Sequence, residues 1–378
     1  MVKIGERSPG DSGPPQPGLA FEVNNDLQVS AEYLSSFSGL EEILNDVRLI
    51  NAFQFYDRQA VLHKGRFQRI GLWSLVFATV TLMTAAIGAL SSSPLTLRLG
   101  VWGVVLDGGS AVAIVLVFWN RVARHRALWC QAVFCRERLR QWHFQLFLDG
   151  ELVRRLMSER DQAKGELDKR WGELQQNLRD GYGMMTAFIH HGSHESDIVH
   201  KVTPYDDPKV GNLVLDAMWT LRVEHQLRLS QRRIEPVGEQ AGLTLDERAR
   251  FSEAVAVTSF AGAVLVGASG LLLSLYHNLP VLGQLSWDFV AVNRIVGGSA
   301  LILAVMSAAS RAYRAGYTLP GELDSYKEYA DRTREVEAAF RSAESLLERF
   351  RQMEKLETEA AAELRRFLRM KMQATFVF

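Results

Sequence analysis

The chain has 378 residues, 43 Lys and Arg balanced by 43 Asp and Glu, and a mean hydropathy close to neutral. Zero formal charge gives no overall basic excess to hold a polyanion, so no direct nucleic-acid binding is expected. The neutral average blends very apolar blocks with very charged ones, and only windows along the chain distinguish a membrane protein from a soluble one.

The first residues, through Gly18, are rich in Gly, Pro and Ser and hold too little apolar area to order themselves, so residues 1–37 are expected to form a disordered tail without a secretory signal. Four apolar stretches follow, at residues 70–90, 99–119, 254–276 and 289–310. A helix needs about 20 apolar residues to cross about 30 Å of hydrocarbon. The first and third stretches carry no charge, whereas the second holds Asp107 and the fourth Arg294. Trp73, Trp102, Trp119, Tyr276 and Trp287 lie near the edges, where half-buried rings reach water. The expected fold class is therefore all-α, an integral membrane protein with four transmembrane helices in two hairpins.

Orientation follows from basic residues. Lys64, Arg66 and Arg69 precede the first stretch, and Arg121, Arg124 and Arg126 follow the second. Arg248 and Arg250 precede the third, Arg311 and Arg314 follow the fourth, and the two short connections hold only Arg98. The positive-inside rule then predicts a multi-pass protein of the cytoplasmic membrane with both termini and the middle segment in the cytoplasm. Cys130 and Cys135 would sit in that reducing compartment, where a structural disulfide is not expected.

Gly108-Gly109-Ser110-Ala111 in the second stretch recurs as Gly297-Gly298-Ser299-Ala300 in the fourth, and Arg66-Phe67 recurs as Arg250-Phe251. The pattern predicts one hairpin used twice in the same orientation, unlike an inverted-repeat transporter. Gly108, Gly109, Gly262, Gly267, Gly270, Gly297 and Gly298 are the expected helix-packing residues, since small side chains let backbones approach closely in lipid.

The soluble parts read as long helices. The first unit, residues 38–148, ends with the second stretch continuing to Phe147. A cytoplasmic middle segment, 149–243, carries a helix over 151–180, an irregular stretch over 181–209 and another helix over 212–233. The last unit, 244–378, opens on a capping box of Thr244 and Glu247. It ends in a seam of Tyr326, Tyr329, Thr333, Val336, Phe340, Ala343, Leu347 and Phe350. Steps of three and four over this length predict a coiled coil or helical bundle, paired with the middle segment or with the same tail of another subunit.

Two clusters carry candidate chemistry. His190, His191, His194 and His200 fall in the irregular stretch, where they form either a solvated, pH-sensitive loop or a metal site. Asp107 and Arg294 are charges at membrane depth, each costing about 2.5–3.5 kcal/mol on insertion scales. They either line a pore or gate, or serve as a structural ion pair, with Arg294 also able to snorkel outward. No nucleotide loop, dinucleotide fingerprint, nucleophile elbow or zinc-protease motif is present, so neither enzymatic activity nor a cofactor is expected.

Tyr56-Asp57-Arg58-Gln59-Ala60 ahead of the first hairpin, with Arg136-Glu137-Arg138-Leu139-Arg140 and Trp142 behind it, resembles the SLATT family. The resemblance implies a homo-oligomeric pore-forming effector of bacterial conflict systems, triggered by a nucleotide second messenger or a sensor protein. Two departures matter: typical members have one hairpin where this chain has two, and no sensor domain is recognisable.

Overall fold

A computed structural model describes residues 27–90, 109, 112, 125–191, 202, 203, 205–228, 245–277, 289–374 and 376. The fold is all-α, with no strand among the described residues and an isolated parallel bridge between Asp149 and Thr203.

Two short helices, α1 (Ala31–Ser36) and α2 (Glu41–Leu44), lead into α3 (Val47–Leu90), 44 residues long. The Asp46 carboxylate caps α3 by accepting from the Arg48 N–H at 2.8 Å and the Leu49 N–H at 3.4 Å. At 1.5 Å per residue the helix extends about 66 Å, twice a membrane's apolar thickness. Its first half buries Leu49, Phe53, Ala60 and Phe67 on one stripe. Along that stripe runs α4 (His125–Leu146), antiparallel to α3. Phe67 meets Trp129, Asp57 meets Arg136, and Phe53 lies under Arg140.

A turn over residues 147–149 leads to α5 (Gly150–Ser158), capped by Asp149, which accepts from the Leu152 N–H at 3.0 Å. The single helix expected over 151–180 is two. The Glu159 N–H closes on the Arg155 carbonyl, ending α5, and α6 (Arg160–Arg179) starts afresh. Beyond it α7 (Gly181–His191) is helical where an irregular stretch was expected, because Met185, Phe188 and Ile189 recur at helical spacing and bury against the body. Helix α8 (Pro208–Met218) opens on Asp207 and a first-turn proline, then widens into a π-helical turn over Trp219–Glu224.

The two hairpin partners α9 (Leu245–His277) and α10 (Phe289–Tyr317) pack antiparallel, and the outer half of α3 lies against α10. The expected cap residue Thr244 lies outside the described residues, of which Leu245 is the first in this helix. Asp246–Leu275 and Ala291–Ser342 contain the helices long and apolar enough to cross a membrane. Only 17% and 22% of their most apolar windows are buried, where a soluble protein's core helix would be mostly buried. Phe260, Leu265, Leu272 and Ile295 are each more than half exposed, a surface suited to lipid rather than water.

After α10 the chain turns at Thr318, the only described non-glycine residue with positive φ (52°), and enters α11 (Leu319–Ser342). The seam expected to run unbroken through Phe350 stops at Ala343. Ser345 and Glu348 form a capping box that starts α12 (Leu346–Gln373), and α12 folds back antiparallel on α11. The seam thus closes within the chain. Tyr329, Thr333 and Val336 are buried on α11, Phe340 stacks on Trp219 at 4.8 Å, and Phe350 stacks on Tyr205 at 4.7 Å.

Candidate functional site

Of the predicted membrane-depth pair, Asp107 lies outside the described residues. Arg294 is exposed on α10 and makes no ion pair among the described residues. From Arg294 to Arg311 the helix rises about 25 Å, so Arg294 sits near the far edge of an apolar slab whose near edge is marked by Arg311 and Arg314. That position suits a side chain reaching the outer interface.

The packing glycines divide by environment. A Cβ on Gly270 would fall 2.8 Å from Val296, and one on Gly262 would fall 3.2 Å from Leu303, so both stand where α9 and α10 approach closely. A Cβ on Gly109 would fall 3.0 Å from the Thr81 hydroxyl of α3. Gly267 and Gly297 have open space within 4 Å, and Gly298 is buried on α10. Gly108 lies outside the described residues. The α9–α10 pair is further tied by the Ser307 hydroxyl donating to the Ala256 carbonyl at 2.8 Å and the Ser310 hydroxyl to that of Ser252 at 2.6 Å. These bonds give the serine hydroxyls partners across the helix–helix interface.

His190 and His191 end α7, with His190 exposed, while His194 and His200 lie outside the described residues. No group of three or more potential metal ligands gathers among the described residues. Cys130 and Cys135 are free and buried, and burial pushes both thiols up to about 12, which makes them unreactive at neutral pH.

The structure brings together the two stretches that carry the family resemblance. Arg136 donates to Asp57 at 2.7 Å and to Glu137 at 2.8 Å, and Arg140 donates to Glu137 at 2.6 Å. Burial works against ionisation of Glu137, but Arg140 and Arg136 outweigh it and hold the carboxyl down at about 2. A second pair lies deeper. Arg222, in the π-helical turn, donates to both Glu357 oxygens at 2.6 and 3.2 Å, with the side chains 3% and 0% exposed. His143 is buried beside them, ringed by Phe144 and Phe147, and neither ring nitrogen has a hydrogen-bond partner among the described residues. Burial lowers it to about 4. This charged layer ties α3, α4, the π turn and α12 into one body.

Further along α3, toward its exposed apolar half, His63 and His125 of α4 place their Nδ1 atoms 3.3 Å apart. Burial lowers both, joined by the His125 ring for His63 and by Arg66 for each. Nearby, Lys371 of α12 is buried, donates to the Thr318 hydroxyl at 2.6 Å, pairs with Glu322, and lies over the Trp129 ring. Spacing gave no sign of Arg222, Glu357 or Lys371, because all three lie in charged helices and their partners are distant in sequence. A cavity of about 470 Å³ opens between Thr79 of α3, Arg248 and Phe251 of α9, and Met306 and Tyr313 of α10.

No protein-family model, no curated protein and no solved structure matches the chain.

Proposed function

We propose that the chain is an oligomeric ion channel or pore-forming effector of the cytoplasmic membrane, opened through its helical cytoplasmic body. It would have four spans, two in each hairpin, with the termini and middle segment in the cytoplasm. The observation that carries this reading is the continuity of α3, which runs unbroken from the buried cytoplasmic body into the exposed apolar region. A rearrangement of the body is thereby passed to the spans, as a bistable bundle requires. The resemblance to the SLATT family supports a role in bacterial defence, with a nucleotide second messenger or sensor protein as trigger and homo-oligomerisation through the spans.

Purified full-length protein in planar bilayers tests the reading. Stepwise conductance that depends on the protein supports it. Silence under every trigger, with the protein correctly inserted, favours the alternative of a membrane-anchored scaffold. That alternative draws less support from the heptad seam, which α11 and α12 use on each other.

A further inference from the structure

We propose that the cavity between α3, α9 and α10 binds one anionic phospholipid of the cytoplasmic leaflet, with its phosphate on Arg248 and an acyl chain against Phe251, Val255 and Met306. At about 470 Å³ the cavity falls in the range of small-ligand sites, roughly 300–1,000 Å³. Its walls come from three helices of the apolar region: Thr79 from α3, Phe251 and Val255 from α9, and Met306 and Tyr313 from α10.

The cavity is amphiphilic along its length. The hydrogen bonds from Ser310 to the Ser252 carbonyl and from Ser307 to the Ala256 carbonyl set the register of the antiparallel pair α9 and α10. That register puts Arg248 level with Tyr313 at one end. Val255 and Met306, seven residues away on their own helices, lie about 10 Å deeper. The shallow end coincides with the slab edge marked by Arg311 and Arg314, and the deep end lies inside the apolar stretch that begins at residue 254. Arg248 and Phe251 are exposed at the first end and Met306 is 37% exposed at the second, so both ends reach the surface. A free anion would fill only the shallow end, and a bare hydrocarbon would leave the arginine unanswered. A charged headgroup with a chain behind it matches both.

Charge selects the headgroup. Among the described residues, Arg248 is the only charged side chain lining the cavity, and no carboxylate pairs with it. The other arginines at this edge are engaged: Arg250 pairs with Asp246 at 2.8 Å, Arg314 with Glu253 at 3.4 Å, and Arg311 lies over the Phe260 ring. The lining hydroxyls are spent on backbone carbonyls, Thr79 on Leu75 at 2.8 Å, Ser252 on Ala249 at 3.0 Å and Ser310 on Ser252. The guanidinium of Arg248 and the Tyr313 hydroxyl remain at the shallow end, two donors suited to phosphate oxygens. Basic pockets between spans on the cytoplasmic side hold anionic headgroups in this way. The site rests on the cytoplasmic orientation proposed above and not on conduction.

Lipid retention by the full-length protein tests the site. The detergent-purified chain is titrated with dioleoylphosphatidylglycerol or dioleoylphosphatidylcholine, and bound lipid is counted by native mass spectrometry. The expected result is one phosphatidylglycerol per chain, retained in preference to phosphatidylcholine. Arg248→Gln should weaken that retention at least about tenfold, the loss of one charge-assisted contact. Arg250→Gln, at the same edge but already paired with Asp246, should leave it unchanged. Ala309→Phe, which fills the cavity, should displace the lipid at unchanged helical content. Equal retention of the two lipids, equal weakening by Arg248→Gln and Arg250→Gln, or full retention in folded Ala309→Phe overturns the site. Inorganic phosphate that competes as well as the lipid overturns it in favour of a free anion. Specific retention by a chain that stays silent in phosphatidylglycerol bilayers leaves the site standing and counts against the channel; conductance without lipid preference does the reverse.

Discussion

Arg222 and Glu357 illustrate how a buried charge couples distant parts of the chain. Each offsets part of the other's desolvation penalty, although burial still outweighs Arg222 at Glu357 and pushes its carboxyl up, and the loss of one partner leaves an uncompensated charge in the core. Glu357→Ala should therefore destabilise the body by about 3–5 kcal/mol, whereas Arg222→Leu with Glu357→Leu should recover most of that loss. Melting of the detergent-solubilised protein, followed by helical circular dichroism, distinguishes the two. His143 gives a matching pH dependence. Its folded pKa of about 4 lies below the unfolded value near 6.5, so the unfolded chain binds the extra proton first. Stability contributed by the neutral ring is intact above pH ~6.5 and falls by roughly 3 kcal/mol as the pH drops to ~4. His143→Phe should flatten that part of the profile, and an unchanged slope in the variant would count against a buried neutral imidazole.

Helices set the next scale, where glycine environment makes a contrast. Gly270→Val places a side chain against Val296 and should separate α9 from α10, lowering the melting temperature by several degrees. Gly267→Val meets open space and should leave the monomer's stability within about 0.5 kcal/mol. If Gly267→Val instead changes the oligomeric state by light scattering, that face is a subunit contact. At the start of α12, Ser345→Ala removes the capping box and should cost about 1 kcal/mol.

Elements with a continuous apolar period were readable in the sequence: α9, α10 and the outer half of α3 cover the apolar stretches at 254–276, 289–310 and 70–90, whereas the first half of α3, residues 47–69, has no such stretch. The break at residues 343–345 was not readable, because Ala343 and Leu347 fit the heptad whether or not the helix pauses. Only the spacing of Ser345 and Glu348 gave a local clue. Helix α7 was hidden by its two glycines, which suggest a loop until Met185 and Phe188 find a core. Among the site residues, the glycines of α9 stood out by composition. Arg248 carried no such mark beyond its place among the boundary arginines, since nothing local shows that Asp246 takes Arg250 and Glu253 takes Arg314.

For the whole molecule, the exposed apolar faces of α9, α10 and the outer half of α3 lead to a plain expectation. The protein should remain with the membrane through an alkaline carbonate wash and come away only in detergent. Recovery in the soluble fraction after carbonate would mean that another surface covers Phe260, Leu265 and Leu272.

The unbroken length of α3 has a mechanical consequence. Were it to tilt about a point near Ile70, the helix would act as a lever with an arm of about 35 Å in the body and about 30 Å beyond it. A tilt of only about 10° would carry the far tip sideways by roughly 5 Å, close to the rise of one helical turn. The same tilt would carry Asp57, about 20 Å from the pivot, by roughly 3 Å relative to Arg136 of α4, the scale on which one ion pair is exchanged for another. One continuous helix thus makes the ion pairs of the body and the packing at its far end parts of a single mechanical element.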